Sequence, residues 1–157
     1  MTTNDAYAVD QKPVPRLGVL IVDDAEEVRR DLRTVLELAS DLVILGEADN
    51  GLEAVSMAEV LKPDIVLMDL RMPGIDGFEA TKQIKSRGLA RGVIMLTIYS
   101  HEEYRLQAES VGVDLFLEKG IGIEALLAAF KQLGQSMLPP GPAYFQTKSI
   151  HLESEGL

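Results

Sequence analysis

Between Leu17 and Leu133, short continuously apolar runs alternate with stretches in which apolar residues return every three or four positions. The runs Leu17–Val22, Leu42–Leu45, Ile65–Met68, Val93–Leu96 and Leu115–Leu117 are built mostly from Leu, Ile and Val, the pattern of strands covered on both faces. After the first run, Val28, Leu32, Val35, Leu36 and Ala39 line one side of a helix; after the last, Ile123, Leu126, Leu127 and Phe130 do the same. Weaker helical patterns lie between, at Leu52 and Val55, at Phe78 and Ile84, and at Tyr104, Ala108 and Val111. Helix starts are predicted where a small polar residue stands three positions before a glutamate: Asp24 with Glu27, Asn50 with Glu53, Asp76 with Glu79, and Ser100 with Glu103. Five strand–helix units in series predict an α/β fold, a parallel sheet with helices on both faces. In such a fold, chemistry belongs to the loops at the carboxyl ends of the strands.

The flanks read differently. Residues 1–16 are polar, contain Pro13 and Pro15 and show no periodicity, as expected of a mobile leader. Residues 134–157 begin at Gly134 and contain Pro139, Pro140, Gly141 and Pro142, which stop a helix, followed by Ala143-Tyr144-Phe145 in a polar setting; a flexible tail is expected. The foldable unit is therefore placed at 17–133.

Composition narrows the function. The 157 residues carry 15 basic and 25 acidic side chains, a net charge of -10, and nearly all of that excess falls between Leu17 and Leu133. No basic stripe is visible, so direct nucleic-acid binding is not expected. The absence of cysteine excludes disulfides and thiolate metal sites and favours a reducing compartment. No apolar run approaches the roughly 18 residues of a membrane span, and residues 1–16 lack a signal-peptide core. A soluble, cytoplasmic protein without a membrane partner is expected.

Four strand ends carry candidate chemistry. The first run ends in Asp23-Asp24, the third in Asp69, and Lys119 follows the fifth after one residue, while Thr97 closes the fourth. A parallel sheet brings these ends to one rim, gathering three carboxylates, a hydroxyl and an ammonium. Crowded carboxylates repel and call for a proton or a cation. All are hard oxygen donors, which suits Mg²⁺ with its retained waters and affinity for phosphate. A carboxylate beside such an ion, a lysine and a hydroxyl is a setting for phosphoryl transfer, with an aspartate attacking in line.

These residues resemble the markers of response-regulator receiver domains. Asp23-Asp24 is similar to the family's acidic pair, and Asp69-Leu70-Arg71-Met72-Pro73-Gly74-Ile75-Asp76-Gly77 to its phosphoacceptor loop. Leu96-Thr97 with Tyr99, and Phe116 with Lys119, resemble the remaining markers; the likeness runs from Leu17 to about Leu133. Gly46-Glu47-Ala48-Asp49-Asn50-Gly51 further resembles receivers of LuxR-type transcription regulators.

The resemblance implies a flavodoxin-like, doubly wound three-layer sandwich with strand order 2-1-3-4-5. It implies Asp69 as phosphoacceptor and Mg²⁺ held by Asp24, Asp69 and the backbone carbonyl of Arg71, with Asp23 acting mostly through a bound water. Lys119 pairs with the phosphoryl group and Thr97 hydrogen-bonds it, while Phe116 is the aromatic that turns inward when Thr97 moves. Arg71 and Tyr99 flank the site as candidates for tuning dephosphorylation. The implied phosphodonor is a histidine of a sensor kinase or phosphotransfer protein. The implied output is a conformational switch read by a protein partner, or by a second copy, through about 102–133. The protein is thus expected to be a phosphoacceptor rather than an enzyme, taking part only in its own Mg²⁺-dependent phosphorylation and dephosphorylation.

Three departures from the family pattern stand out. Gly120 follows Lys119 where most receivers have proline, although LuxR-type members often lack it too. Ile98 replaces a small residue and is expected to narrow access to Asp69. No helix-turn-helix domain follows, so the output is expected to lie in another molecule. Alternatives are a receiver fragment of a DNA-binding regulator, and a receiver-like module that acts unphosphorylated. An aspartyl phosphatase is disfavoured because Arg71 stands where such enzymes need a second acid.

Overall fold

The computed structural model describes residues 16–137. Its elements alternate without exception: β1 (Leu17–Val22), α1 (Glu26–Leu36), β2 (Leu42–Ala48), α2 (Gly51–Leu61), β3 (Ile65–Met68), α3 (Gly77–Ser86), β4 (Gly92–Thr97), α4 (Glu102–Val111), β5 (Leu115–Glu118) and α5 (Ile123–Met137). All the strand pairings are parallel, in the order β2-β1-β3-β4-β5. The expected doubly wound, flavodoxin-like sheet is what the chain forms.

Period-two alternation along β1, β3 and β4 divides the apolar side chains between two cores. Leu20, Val22, Val66, Met68, Val93 and Met95 pack with Ala54, Ala58, Phe78, Ile84 and Ala108 from α2, α3 and α4. Val19, Ile21, Ile65, Leu67, Ile94 and Leu96 pack with Leu36, Leu126, Phe130 and Leu133 from α1 and α5. The three central strands are buried on both faces, whereas edge strands β2 and β5 are largely half-exposed. This explains why β2 outruns its apolar stretch. It continues through Glu47, whose carboxylate meets Arg29 at 3.4 Å and Arg33 at 2.8 Å on the open edge.

Two of the four predicted helix caps form. Asn50 Oδ1 accepts from the Glu53 N–H, and Asp76 Oδ1 from the Glu79 N–H, each at 2.9 Å. The other two are displaced by one residue. Ala25 caps α1 and His101 caps α4, neither through a side chain. Asp24 and Ser100 are therefore not the caps that their spacing suggested, because the loops after β1 and β4 take one more residue to turn from strand into helix. At the other end, α5 runs past the boundary placed at Leu133. Gly134 is buried against the side chain of Leu17, so the helix continues by having no side chain where the first strand begins. The rest of the expected tail, including Tyr144 and Phe145, and the leader up to residue 15 lie outside the described residues. Among the described residues no helix is long and apolar enough to cross a membrane.

Candidate functional site at the carboxyl edge of the sheet

β1 and β3 are neighbours in the sheet, so the residues that follow them meet. Oxygens of Asp23, Asp24 and Asp69 all lie within 4.8 Å of one another. Asp23 and Asp69 are buried, at 1% and 8% exposure, while Asp24 is exposed. Lys119, arriving from beyond β5, places its ammonium 2.7 Å from Asp23 Oδ2 and 3.4 Å from Asp69 Oδ1. The lysine thus spans both buried acids but sits closer to Asp23. Asp23 Oδ1 accepts the Ala25 N–H at 2.9 Å, and Asp69 Oδ1 accepts the Leu70 N–H at 2.9 Å. Asp69 Oδ2 has no hydrogen-bond partner among the described residues, leaving one carboxylate oxygen of Asp69 uncommitted.

Burial, and then the charge of Asp23, push the Asp69 carboxyl up from 3.8 to about 6; Lys119 and the Leu70 N–H oppose this without cancelling it. Burial draws the Lys119 ammonium down, but its hydrogen bond to Asp23 and the charges of Asp69 and Asp23 outweigh that and hold it above its ordinary range. Three acids against one ammonium leave an excess of negative charge focused on hard oxygen donors. That donor set fits a divalent oxygen-loving cation such as Mg²⁺.

The loop after β3 is held from below by Gly77. Its N–H donates to the Leu70 carbonyl at 2.8 Å, and a Cβ on it would collide with the Asp69 carbonyl oxygen. Thr97 is fully buried, and its Oγ1 accepts the Tyr99 N–H at 3.1 Å. Lys119 is tied to the same strand end, its N–H donating to the Thr97 carbonyl at 2.8 Å. Phe116 lies half-buried on β5 opposite Met95, with the Arg105 guanidinium 5.0 Å from its ring centroid. Gly120 has φ +100°, a conformation closed to proline, so glycine here accompanies a loop that the commoner family residue cannot form. Ile98 points largely into solvent, 65% exposed, rather than into the core.

The aspartates, Lys119 and Thr97 thus lie at the strand ends to which the sequence assigned them. What sequence reasoning missed is the partner of Arg71. Its Nη2 donates to Tyr104 Oη at 2.9 Å, across 33 residues, and its guanidinium lies 5.2 Å from the Tyr99 ring centroid and 5.6 Å from that of Tyr104. Tyr104 had registered only as part of a helical stripe, and nothing local in the sequence signals the contact.

The sequence profile of the response regulator receiver domain matches residues 19–131, most of the chain. The chain belongs to that family. Its curated relatives include the nitrate/nitrite response regulator NarL of Escherichia coli K12, 33% identical over 114 residues, which are 73% of this chain and 53% of NarL. The transcriptional regulatory protein YdfI of Bacillus subtilis is 42% identical over 108 residues, 69% of this chain and 50% of YdfI. VraR of Staphylococcus aureus is 38% identical over 126 residues, 79% and 60% of the two chains. This receiver therefore spans about half the length of the curated relatives it matches. Among solved structures, the response regulator domain of Thermotoga maritima CheB superposes with a TM-score of 0.70 at 30% identity, covering 80% of this chain and 99% of that one. A LuxR-family DNA-binding response regulator from Staphylococcus aureus gives 0.70 at 29% identity, covering 74% and 98%. The expected likeness to LuxR-type receivers is thereby borne out.

Proposed function

We propose that this receiver accepts a phosphoryl group on Asp69 from a phosphohistidine of a sensor kinase or phosphotransfer protein. The observation that carries the reading is the convergence of Asp23, Asp24 and Asp69 within 4.8 Å, with Lys119 spanning the two buried acids. An uncommitted oxygen of Asp69 attacks phosphorus in line. The new O–P bond forms as the P–N bond breaks, and the electron pair leaves on nitrogen, so that the donor ring, protonated at its other nitrogen, departs neutral. An acyl phosphate remains on Asp69.

Asp24, Asp69 and the Arg71 carbonyl would hold Mg²⁺, with Asp23 contributing through water. When bound, the ion supplies positive charge opposite the phosphoryl oxygens. Lys119 serves the same oxygens from the side of β5, moving from Asp23 towards the phosphoryl group as the latter adds negative charge. The Thr97 hydroxyl can accept from Tyr99 N–H and still donate its own proton to a phosphoryl oxygen. Its movement towards that oxygen, followed by Phe116, would alter the face formed by about 102–133, where a partner protein or a second copy reads the state.

The test is incubation of the full chain with Mg²⁺ and a small acyl or amido phosphate, with intact mass as readout. One added phosphoryl group, lost in Asp69→Asn, is the expected result. No gain in the wild type, or a gain that persists in Asp69→Asn, overturns the assignment.

A further inference from the structure

The Arg71 guanidinium joins three segments: its own loop after β3, the loop after β4 through Tyr99, and α4 through Tyr104. Of these, Tyr104 is the fixed member. Its ring stacks on Phe78 of α3, with centroids 6.3 Å apart and planes 20° apart, and Phe78 belongs to the buried core. The Tyr99 ring lies 5.8 Å from Tyr104 at 57°, and the Tyr99 N–H holds the Thr97 hydroxyl. A continuous set of contacts therefore runs from the residue two beyond Asp69, through two tyrosines, to the hydroxyl that serves the phosphoryl group.

We infer that Tyr104 is a positioning residue which, by gripping Arg71 and Tyr99, holds the loops after β3 and β4 in their unphosphorylated arrangement and opposes the rearrangement that follows phosphoryl binding. This rests on Asp69 being the phosphoacceptor. A ligand that favours the rearranged state binds more weakly by whatever factor stabilises the resting one, and more tightly when that stabilisation is removed. A cation over half-buried rings and one hydrogen bond to an exposed guanidinium are modest, so a tightening of roughly two- to tenfold follows.

The experiment measures beryllofluoride affinity by calorimetry, with Mg²⁺ present, for the 157-residue wild type, Tyr104→Phe, Arg71→Gln and the double variant. Tyr104→Phe keeps the ring and its stack on Phe78 while losing the hydroxyl that accepts from Arg71. Arg71→Gln changes an exposed position and keeps a backbone carbonyl, so it tests the same contact should Tyr104→Phe melt early. Each single variant should bind roughly two- to tenfold more tightly, and the double no more tightly than Arg71→Gln alone, which already removes both the hydrogen bond that Tyr104→Phe deletes and the guanidinium's contacts with the two rings. Single variants that bind equally or more weakly, or effects that multiply in the double, overturn the inference. Failure of the wild type to bind, or undiminished binding by Asp69→Asn, instead overturns Asp69 as phosphoacceptor.

Discussion

The charge of Asp69 makes the metal-free fold less stable than it would be with a neutral group there. Its carboxyl is pushed from an ordinary 3.8 up to about 6 by burial and by Asp23. Between those values the folded chain holds a proton that the unfolded chain has released, so stability is lost as pH rises and the loss is complete above about pH 6. Some two pH units at about 1.4 kcal/mol each amount to about 3 kcal/mol. Asp69→Asn removes that cost, which is already net of the attraction between Asp69 and Lys119, and the ammonium keeps its 2.7 Å contact with Asp23. The expected net gain is therefore about 1–3 kcal/mol at pH 8. Urea unfolding followed by circular dichroism, with chelator present, measures it. The advantage of Asp69→Asn should shrink as pH falls through 6 and be nearly gone at pH 4. Millimolar Mg²⁺ should also narrow it at pH 8, because the cation stabilises the wild type by binding the folded state. A variant less stable than wild type at pH 8, or an advantage independent of pH, would refute the reasoning.

Three further outcomes follow from the same geometry. Lys119→Met leaves the buried Asp23 and Asp69 carboxylates facing each other without their ammonium and should cost about 2–4 kcal/mol at pH 8, with a smaller loss at pH 5 where Asp69 can take up a proton; urea melts at the two pH values compare them. Asp24→Asn, at an exposed position with no cap to lose, should leave chelator-treated stability within about 0.5 kcal/mol of wild type yet abolish most of the Mg²⁺-induced rise in melting temperature. Gly77→Ala should destabilise by about 1–3 kcal/mol, because the added methyl meets the Asp69 backbone, with Leu70 Cα only 3.0 Å away; denaturant titration reads this directly.

Legibility in the sequence tracked how local the responsible physics was. Of the three central strands, β1 and β3 could be read residue by residue and β4 all but Gly92 and Thr97 at its ends, since strands buried on both faces are continuously apolar. β2 could not, because on an open edge Glu47 is as acceptable as leucine once Arg29 and Arg33 flank it. Caps succeeded at Asn50 and Asp76 and slipped by one residue at Asp24 and Ser100, where the reach of the loop, not the preference of the residue, decides where the helix begins. Gly134 looked like a helix end and is instead a point of close approach to Leu17. That distinction lies in the partner strand and leaves no mark nearby in the chain.

The alternation of apolar runs and amphipathic stretches was enough to determine a parallel sheet, and with it the convergence of Asp23, Asp24, Asp69, Thr97 and Lys119 on one rim, because strand direction alone decides which ends meet. Tertiary structure decided how those groups divide the work. Lys119 lies nearer Asp23 than Asp69, the Asp69 carboxyl is raised to about 6, and Arg71 is committed to Tyr104. Distances of a few ångströms and the exclusion of water set these properties. Both depend on side chains brought together from across the chain, as with the 33 residues between Arg71 and Tyr104, and a linear pattern does not carry them.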